Sequence, residues 1–389
     1  MYKELLKNKE VFGYLKSYNS FYFANGLASS FINILFFSSG SIISVLEYQM
    51  TYQFSQLFMF MISGQISNRL DTKHIYSAGN ILRGVSLIST VLIGGIFFNQ
   101  FFFGLIYGIS GGLFWAGNAI VSLEVSRGKD RLNFLSINST VSYIVSLVSP
   151  ILGGIALELT PLKGVFRYSI LFAATAILLI YSAIEVELLK IKENRSKKVR
   201  IIDSIYADRH IKTAFKSYFF FSSVYIFAIS VVLPVYVFEV THSYYIVGLL
   251  GAFMAGMSVV GNVFSPKLIK RGTKNISFFY AAIIIGSSFL FLHMTHPVLF
   301  SFITGGIALL FVAPINNRSM SNFMNSVDLL TTSFPYWINR EYYLVAGRFS
   351  ILLLTFILIA FFGINVYIPA LTFASLTVIP MLSAVNIKE

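Results

Sequence analysis

Long apolar runs separated by short polar turns set the pattern of this chain. A helix needs about 20 apolar residues to cross a hydrocarbon layer. Runs of that kind predict helices over 18–39, 44–66, 75–97, 101–123, 134–157, 164–186, 214–238, 245–265, 276–294, 298–316, 340–362 and 366–386. The pattern therefore predicts an all-α integral membrane protein with twelve transmembrane helices. Segment 318–340 is polar enough to read as a loop, although Pro335 also suits the first turn of a helix. One long charged stretch, 187–213, divides the helices into an N-terminal half over 1–186 and a C-terminal half over 214–389.

Basic residues fall on alternate turns. Lys3, Lys7, Lys9 and Lys16 precede the first helix, and Arg69 and Lys73 follow the second. Arg127, Lys129 and Arg131 follow the fourth, and Lys267, Lys270, Arg271 and Lys274 follow the eighth. The linker adds Lys190, Lys192, Arg195, Lys197, Lys198, Arg200, Arg209 and Lys212. The opposite-face loops hold only Lys163 and Arg167. Basic loops stay in the cytoplasm. A multi-pass cell-membrane protein with both termini cytoplasmic is therefore expected, without a cleavable signal.

Composition sharpens this reading. Charged residues make up 12% of the 389 positions, against about 25% in soluble domains, and mean hydropathy is +0.75. The net charge of +13 thus belongs to membrane-flanking loops, and no nucleic acid is expected as a partner. There are no cysteines, and the five histidines show no ligand spacing. No metal, cofactor or catalytic constellation is expected, so the chain does not read as an enzyme.

The turn after the second run carries Gly64, Asn68, Arg69, Asp71 and Lys73. A small residue lets helices approach closely, and the basic residues hold the turn at the surface. A related pattern returns from Gly261 to Arg271, and at the same offset Phe114–Gly117 matches Phe311–Pro314. The turn resembles the loop between helices 2 and 3 of the major facilitator superfamily, with Gly64, Arg69 and Lys73 matching. Asn68 stands where that family has Asp, and Asp71 where a drug-efflux branch also has Asp. Further on, Ser149 to Gly154 resembles the helix-5 signature of the family's exporters, through Pro150, Gly153 and Gly154. The resemblance implies two pseudo-symmetric six-helix halves rocking around a central site. It also implies proton-coupled export of a small amphipathic molecule, by a monomer in the lipid bilayer. Uptake of a nutrient or organic anion is the alternative, as is a non-transporting accessory or lipid-handling protein.

Polar side chains at bilayer depth face protein or water rather than lipid. Asn25 and Ser29 share one face of the first helix, and Gln53 and Gln56 one face of the second. Trp115 and Asn118 lie on the fourth helix, and Asn138 and Ser142 on the fifth. These are expected to line a shared cavity. Arg83 lies about 13 Å into the third helix by the helical rise and is expected to contact substrate or a counter-ion. Among scarce carboxylates, Glu47 and Glu341 are candidates for coupling, with Arg348 two turns from Glu341. Gly64 is expected to be less tolerant of a large side chain than Gly261.

Overall fold

The computed structural model describes residues 7–93, 99–127, 131–191, 198–270, 298–328 and 334–362. The predicted helices 276–294 and 366–386 lie outside these residues, as do Lys3, Lys129, Lys192, Arg195, Lys197, Arg271 and Lys274. Six helices make up the N-terminal part: α1 (Lys9–Ser39), α2 (Ile42–Ile66), α3 (Thr72–Ile93), α4 (Gln100–Ser126), α5 (Arg131–Leu159) and α6 (Ser169–Glu187). A short helix, α7 (Ile201–Asp208), lies in the linker. Beyond it come α8 (Thr213–Phe227), α9 (Leu233–Thr241), α10 (Tyr244–Lys270), α11 (Val298–Asp328) and α12 (Phe334–Phe362). A π-helical turn, Ala228–Val232, joins α8 to α9 just ahead of Pro234. The wider turn accommodates a residue that cannot donate to the helical ladder.

Nine helices among the described residues are long and apolar enough to cross a membrane. The 25-residue α2 is long enough but falls short in hydropathy, because it carries Glu47, Gln49, Gln53 and Gln56. Its polarity points inward. Gln53 and Gln56 are 5% and 2% exposed, whereas Phe54 and Phe58 are 65% and 57% exposed. That is the inverse of a soluble amphipathic helix and suits a lipid solvent.

Three boundaries differ from expectation. α1 starts at Lys9 because the Asn8 side chain accepts from the Glu10 and Val11 amides and caps the helix there. The expected loop 318–340 is instead helical up to Asp328 and again from Phe334, with Pro335 in the first turn. Its polar residues Ser319, Ser321 and Asn322 are buried against protein rather than turned to solvent.

Helix α4 packs closely on α2 and α3, α6 on α1 and α3, and α5 on α1. A β-carbon on Gly112 would lie 2.5 Å from the Gln56 carbonyl oxygen, so only glycine permits this α4–α2 approach. In the C-terminal part α10 packs on α11 and α12 on α8. Two pairs, α5 with α10 and α2 with α12, join the N-terminal and C-terminal helices most extensively, with lesser contacts such as α5 with α11 and α1 with α9. Whatever lies between the halves is framed by those two seams.

Candidate functional site

A cavity of about 330 Å³ lies between the halves. From the N-terminal part, α1 contributes Tyr14, Tyr18 and Tyr22, α4 contributes Trp115, Asn118 and Ser122, and α5 contributes Asn138, Ser139 and Ser142. From the C-terminal part, α8 supplies Tyr218, Phe219 and Ser222, α11 supplies Asn316 and Asn317, and α12 supplies Trp337, Arg340 and Arg348. Aromatic rings alternate with amides and hydroxyls around the wall. No carboxylate is among the described residues lining it.

Hydrogen bonds fix much of that wall. The Tyr14 hydroxyl donates to Asn118 Oδ1 at 3.0 Å, and Ser142 Oγ donates to Asn19 Oδ1 at 2.9 Å. Tyr218 donates to Asn316 Oδ1 at 2.7 Å. Across the halves, Asn317 Nδ2 donates to Ser139 Oγ at 2.8 Å. Asn138 Oδ1 is buried and has no partner among the described residues.

Beside the cavity runs the α2–α12 seam. Gln56 Nε2 donates to Glu341 Oε1 at 2.9 Å, and Arg348 Nη1 donates to Gln53 Oε1 at 2.8 Å. Glu341 lies 3.8 Å from both Arg340 and Arg348. Gln49 extends the polar line, donating to Asn33 Oδ1 on α1 at 2.7 Å. The amide stripe of α2 thus reaches the C-terminal half through its side chains.

The expected site residues divide accordingly. Trp115, Asn118, Asn138, Ser142 and Arg348 lie on the cavity wall. Gln53, Gln56 and Glu341 lie on the adjoining seam. Asn25 and Ser29 are half-buried on α1 and off the wall. Arg83 is also off the wall, enclosed by aromatic rings. Its guanidinium carbon sits 4.6 Å from the Tyr107 ring centre and 5.3 Å from that of Phe21, and Nη2 donates to the Tyr52 hydroxyl at 3.3 Å. A desolvated cation over ring faces is held by their quadrupoles, so in this structure Arg83 contacts rings rather than the cavity. Glu47 accepts from Gln100 Nε2 at 2.7 Å, tying α2 to α4 within the N-terminal half.

The two motifs work through packing. A β-carbon on Gly64 would lie 3.0 Å from Ile338 Cδ1 and 3.3 Å from the Phe334 ring, so this turn abuts the start of α12. Asn68 pairs twice with the linker backbone: Nδ2 donates to the Val199 carbonyl at 2.8 Å, and the Val199 amide donates to Oδ1 at 2.7 Å. Only an amide can do both, which gives the Asn in place of Asp a physical reason. Lys73 donates to the Glu187 and Leu189 carbonyls, His74 contacts Glu187, and Asp71 lies 4.0 Å from His74. Arg69 is exposed. In α5, a β-carbon on Gly153 would lie 2.7 Å from the Leu27 carbonyl oxygen, and one on Gly154 2.6 Å from that of Tyr244. Pro150 presents its own carbonyl to Gly248.

Arg340, Asn316 and Asn317 escaped the sequence reading. Spans ending at residue 316 and beginning at residue 340 leave Asn316 and Arg340 at their membrane-surface ends and Asn317 outside. Pro335 was the signal that α12 begins earlier and carries Arg340 inward.

Comparison with known proteins follows the same lines. The family model of the Major Facilitator Superfamily matches residues 12–332. No curated protein matches the chain in sequence. Among solved structures, the transporter FucP in its outward conformation superposes with a TM-score of 0.69 at 11% identity, covering 97% of this chain and 99% of that one. The E. coli fucose:proton symporter FucP gives 0.68 at 11% identity, covering 97% of each chain. The nucleoside transporter NupG gives 0.65 at 11% identity, covering 98% of this chain and 100% of that one.

Proposed function

The chain belongs to the Major Facilitator Superfamily, and we propose that it is a twelve-span carrier that takes up a small polar solute by alternating access. It is a transporter and not an enzyme. The cavity carries the reading: polar, aromatic, and built equally from both halves, it is placed where rocking the halves would expose it to each side in turn. Fucose and nucleosides, which the similar structures are named for, are polar solutes that a cavity of this size can hold. Both termini and the linker face the cytoplasm in this proposal, through the loop charges, and the carrier works as a monomer.

Protons are the proposed coupling ion. Glu341 is 2% exposed and lies on the seam that must part when the halves move, so it is the carboxylate placed to carry one. Arg348 is its partner there, whereas Glu47 is occupied within its own half. Export of an amphipathic molecule rests on Pro150, Gly153 and Gly154. In the structure these residues let α5 meet α1 and α10 at close range, which a carrier needs for either direction. They do not favour export over uptake.

The test fills the cavity. In proteoliposomes with an imposed inward proton gradient, accumulation of labelled fucose, uridine and glucuronate would be compared in the native chain and in Ser142→Leu with Asn138→Leu. Uptake of at least one solute is expected, with a loss of at least about tenfold in the filled variant, since overpacking costs about 1–3 kcal/mol. Undiminished uptake in a folded, filled variant would overturn the site.

A further inference from the structure

We infer, resting on the carrier reading above, that Arg340 and Arg348 form an anion subsite for a hydroxylated organic monoanion of sugar-acid size. Among the described residues Arg340 has ring and ion-pair contacts but no hydrogen-bonded anionic partner. Its guanidinium carbon lies 5.3 Å from the ring centres of both Phe219 and Trp337. Its nearest carboxylate, Glu341, is 3.8 Å away, beyond hydrogen-bond distance. That carboxylate already accepts from Gln56 and faces Arg348 as well. Arg340 Nε is buried with no partner among the described residues. The side chains of Arg340 and Arg348 nevertheless stay 23% and 22% accessible, and both line the cavity.

The charge count sets the ligand's charge. Two guanidinium groups face one carboxylate, which leaves one positive charge on a wall where no other acid is among the described lining residues. A desolvated charge left unbalanced is costly, and a single carboxylate on the ligand balances it. A planar fork of N–H donors also suits a carboxylate. The unpartnered Asn138 Oδ1 across the cavity is an acceptor for a ligand hydroxyl. Trp115 supplies a ring face for the less polar side of a sugar. At 330 Å³ the space is near the lower end of small-molecule sites, which run from about 300 to 1,000 Å³. Arg83, whose Nε is likewise unpartnered among the described residues, offers no rival subsite because it is 2% exposed and lies off the wall.

The chain supplies its own probe. It has only two tryptophans, and both line the cavity, so intrinsic fluorescence reads occupancy directly. The purified full-length chain in nanodiscs would be titrated with D-glucuronate, D-galacturonate and D-gluconate, and with D-glucose and D-galactose as neutral controls. At least one acid is expected to shift the emission and to bind about tenfold or more tighter than its neutral counterpart, as expected for a charge-assisted hydrogen bond. Arg340→Gln should erase that preference without lowering the melting temperature, and Arg340→Lys should keep part of it. If Arg340→Gln does not fold, the native preference and Arg340→Lys decide. Equal binding of acid and neutral sugar, no response to any acid, or a preference that survives in folded Arg340→Gln would each overturn the subsite. The carrier reading is judged separately, by whether filling the cavity abolishes uptake of any solute.

Discussion

At the end of the bundle opposite the basic loops, α5 and α10 meet backbone to backbone. Gly154 abuts the Tyr244 carbonyl, Gly248 abuts that of Pro150, and the Tyr244 amide donates to Glu158 Oε2 at 3.1 Å. Phe238 packs on Tyr244 with ring centres 4.8 Å apart. At the basic end the contacts pass through side chains, apolar where Gly64 meets Ile338 and Phe334 and polar elsewhere. Arg131 Nη1 donates to the Met324 carbonyl at 3.2 Å and to Asn325 Oδ1 at 3.3 Å, Asn68 holds Val199, and Asp208 gathers Lys216, Asn339 and Tyr343. The difference teaches how each end can be altered. Backbone contacts through glycine admit no larger residue, whereas side-chain hydrogen bonds can be removed one at a time, each worth about 0.5–3 kcal/mol.

The largest effect is expected at the glycine seam. Gly248→Val or Gly154→Val forces α5 and α10 apart at a cost of about 1–3 kcal/mol. Borne by only one of the two alternating states, that cost shifts their ratio by about 5- to 150-fold. Transport should fall accordingly, and a cysteine at Phe37, which packs edge-on to Phe238 there, should label faster. The chain has no native cysteine to interfere. Unchanged labelling and transport would mean that this end is not sealed by backbone contact. The same reasoning reverses the expected ranking of the two motif glycines. A β-carbon on Gly261 would run into the Leu310 carbonyl, which is backbone, whereas one on Gly64 meets only the side chains of Ile338 and Phe334. Gly261→Ala should therefore be the more damaging of the two.

At the basic end the effects are smaller. Arg131→Ala removes two hydrogen bonds between α5 and α11, and with water taking up the freed groups that end should open more readily by about 1 kcal/mol. A cysteine at Asn118 should then react several times faster, while the melting temperature changes little. An equal or slower reaction would show that Arg131 does not hold this end. Asn68→Asp restores the residue type that the motif usually carries but loses the donor to the Val199 carbonyl. The linker should loosen by about 1 kcal/mol, seen as faster amide exchange at Val199. Unaltered exchange would mean that the double pairing contributes nothing.

The same contrast explains what could be read from sequence. Trp115, Asn118, Asn138 and Ser142 were legible because a polar group in an apolar helix has few places to face but inward. Arg83 was legible as an anomaly, but not its surroundings. Phe21, Tyr52 and Tyr107 come from three other helices, and no local pattern joins them to Arg83. The polar stretch after residue 316 misled for a related reason. In α11 its buried Ser319, Ser321 and Asn322 face protein, and polarity alone cannot separate a solvated loop from a buried polar helix end. Asn68 looked like a departure from a motif until its two backbone bonds were seen.

The smallest effect is expected where the linker helix α7 docks on α12. Burial alone would raise the Asp208 carboxyl, but hydrogen bonds from Lys216, Tyr343 and Asn339, with the Lys216 charge, outweigh it and hold the group below the usual carboxylate range. Lys216 Nζ is 2.6 Å from Oδ2, and the Tyr343 hydroxyl 2.7 Å from Oδ1. A carboxyl whose folded value lies below its unfolded one, about 3.9, stabilises the fold above that value. The contribution is lost as pH falls through the lower folded value. Asp208 is 36% exposed, so solvent screens the cluster and the contribution is modest. Asp208→Asn should thus melt slightly below the native chain, by a constant margin from neutral pH down to about pH 5. The two curves should converge below about pH 4, as the native carboxyl takes up its proton. A margin that persists at low pH would assign the effect to packing of the side chain. No margin at any pH would show that α7 is held by Ser204 and Asn68 instead, through Tyr342 and Val199.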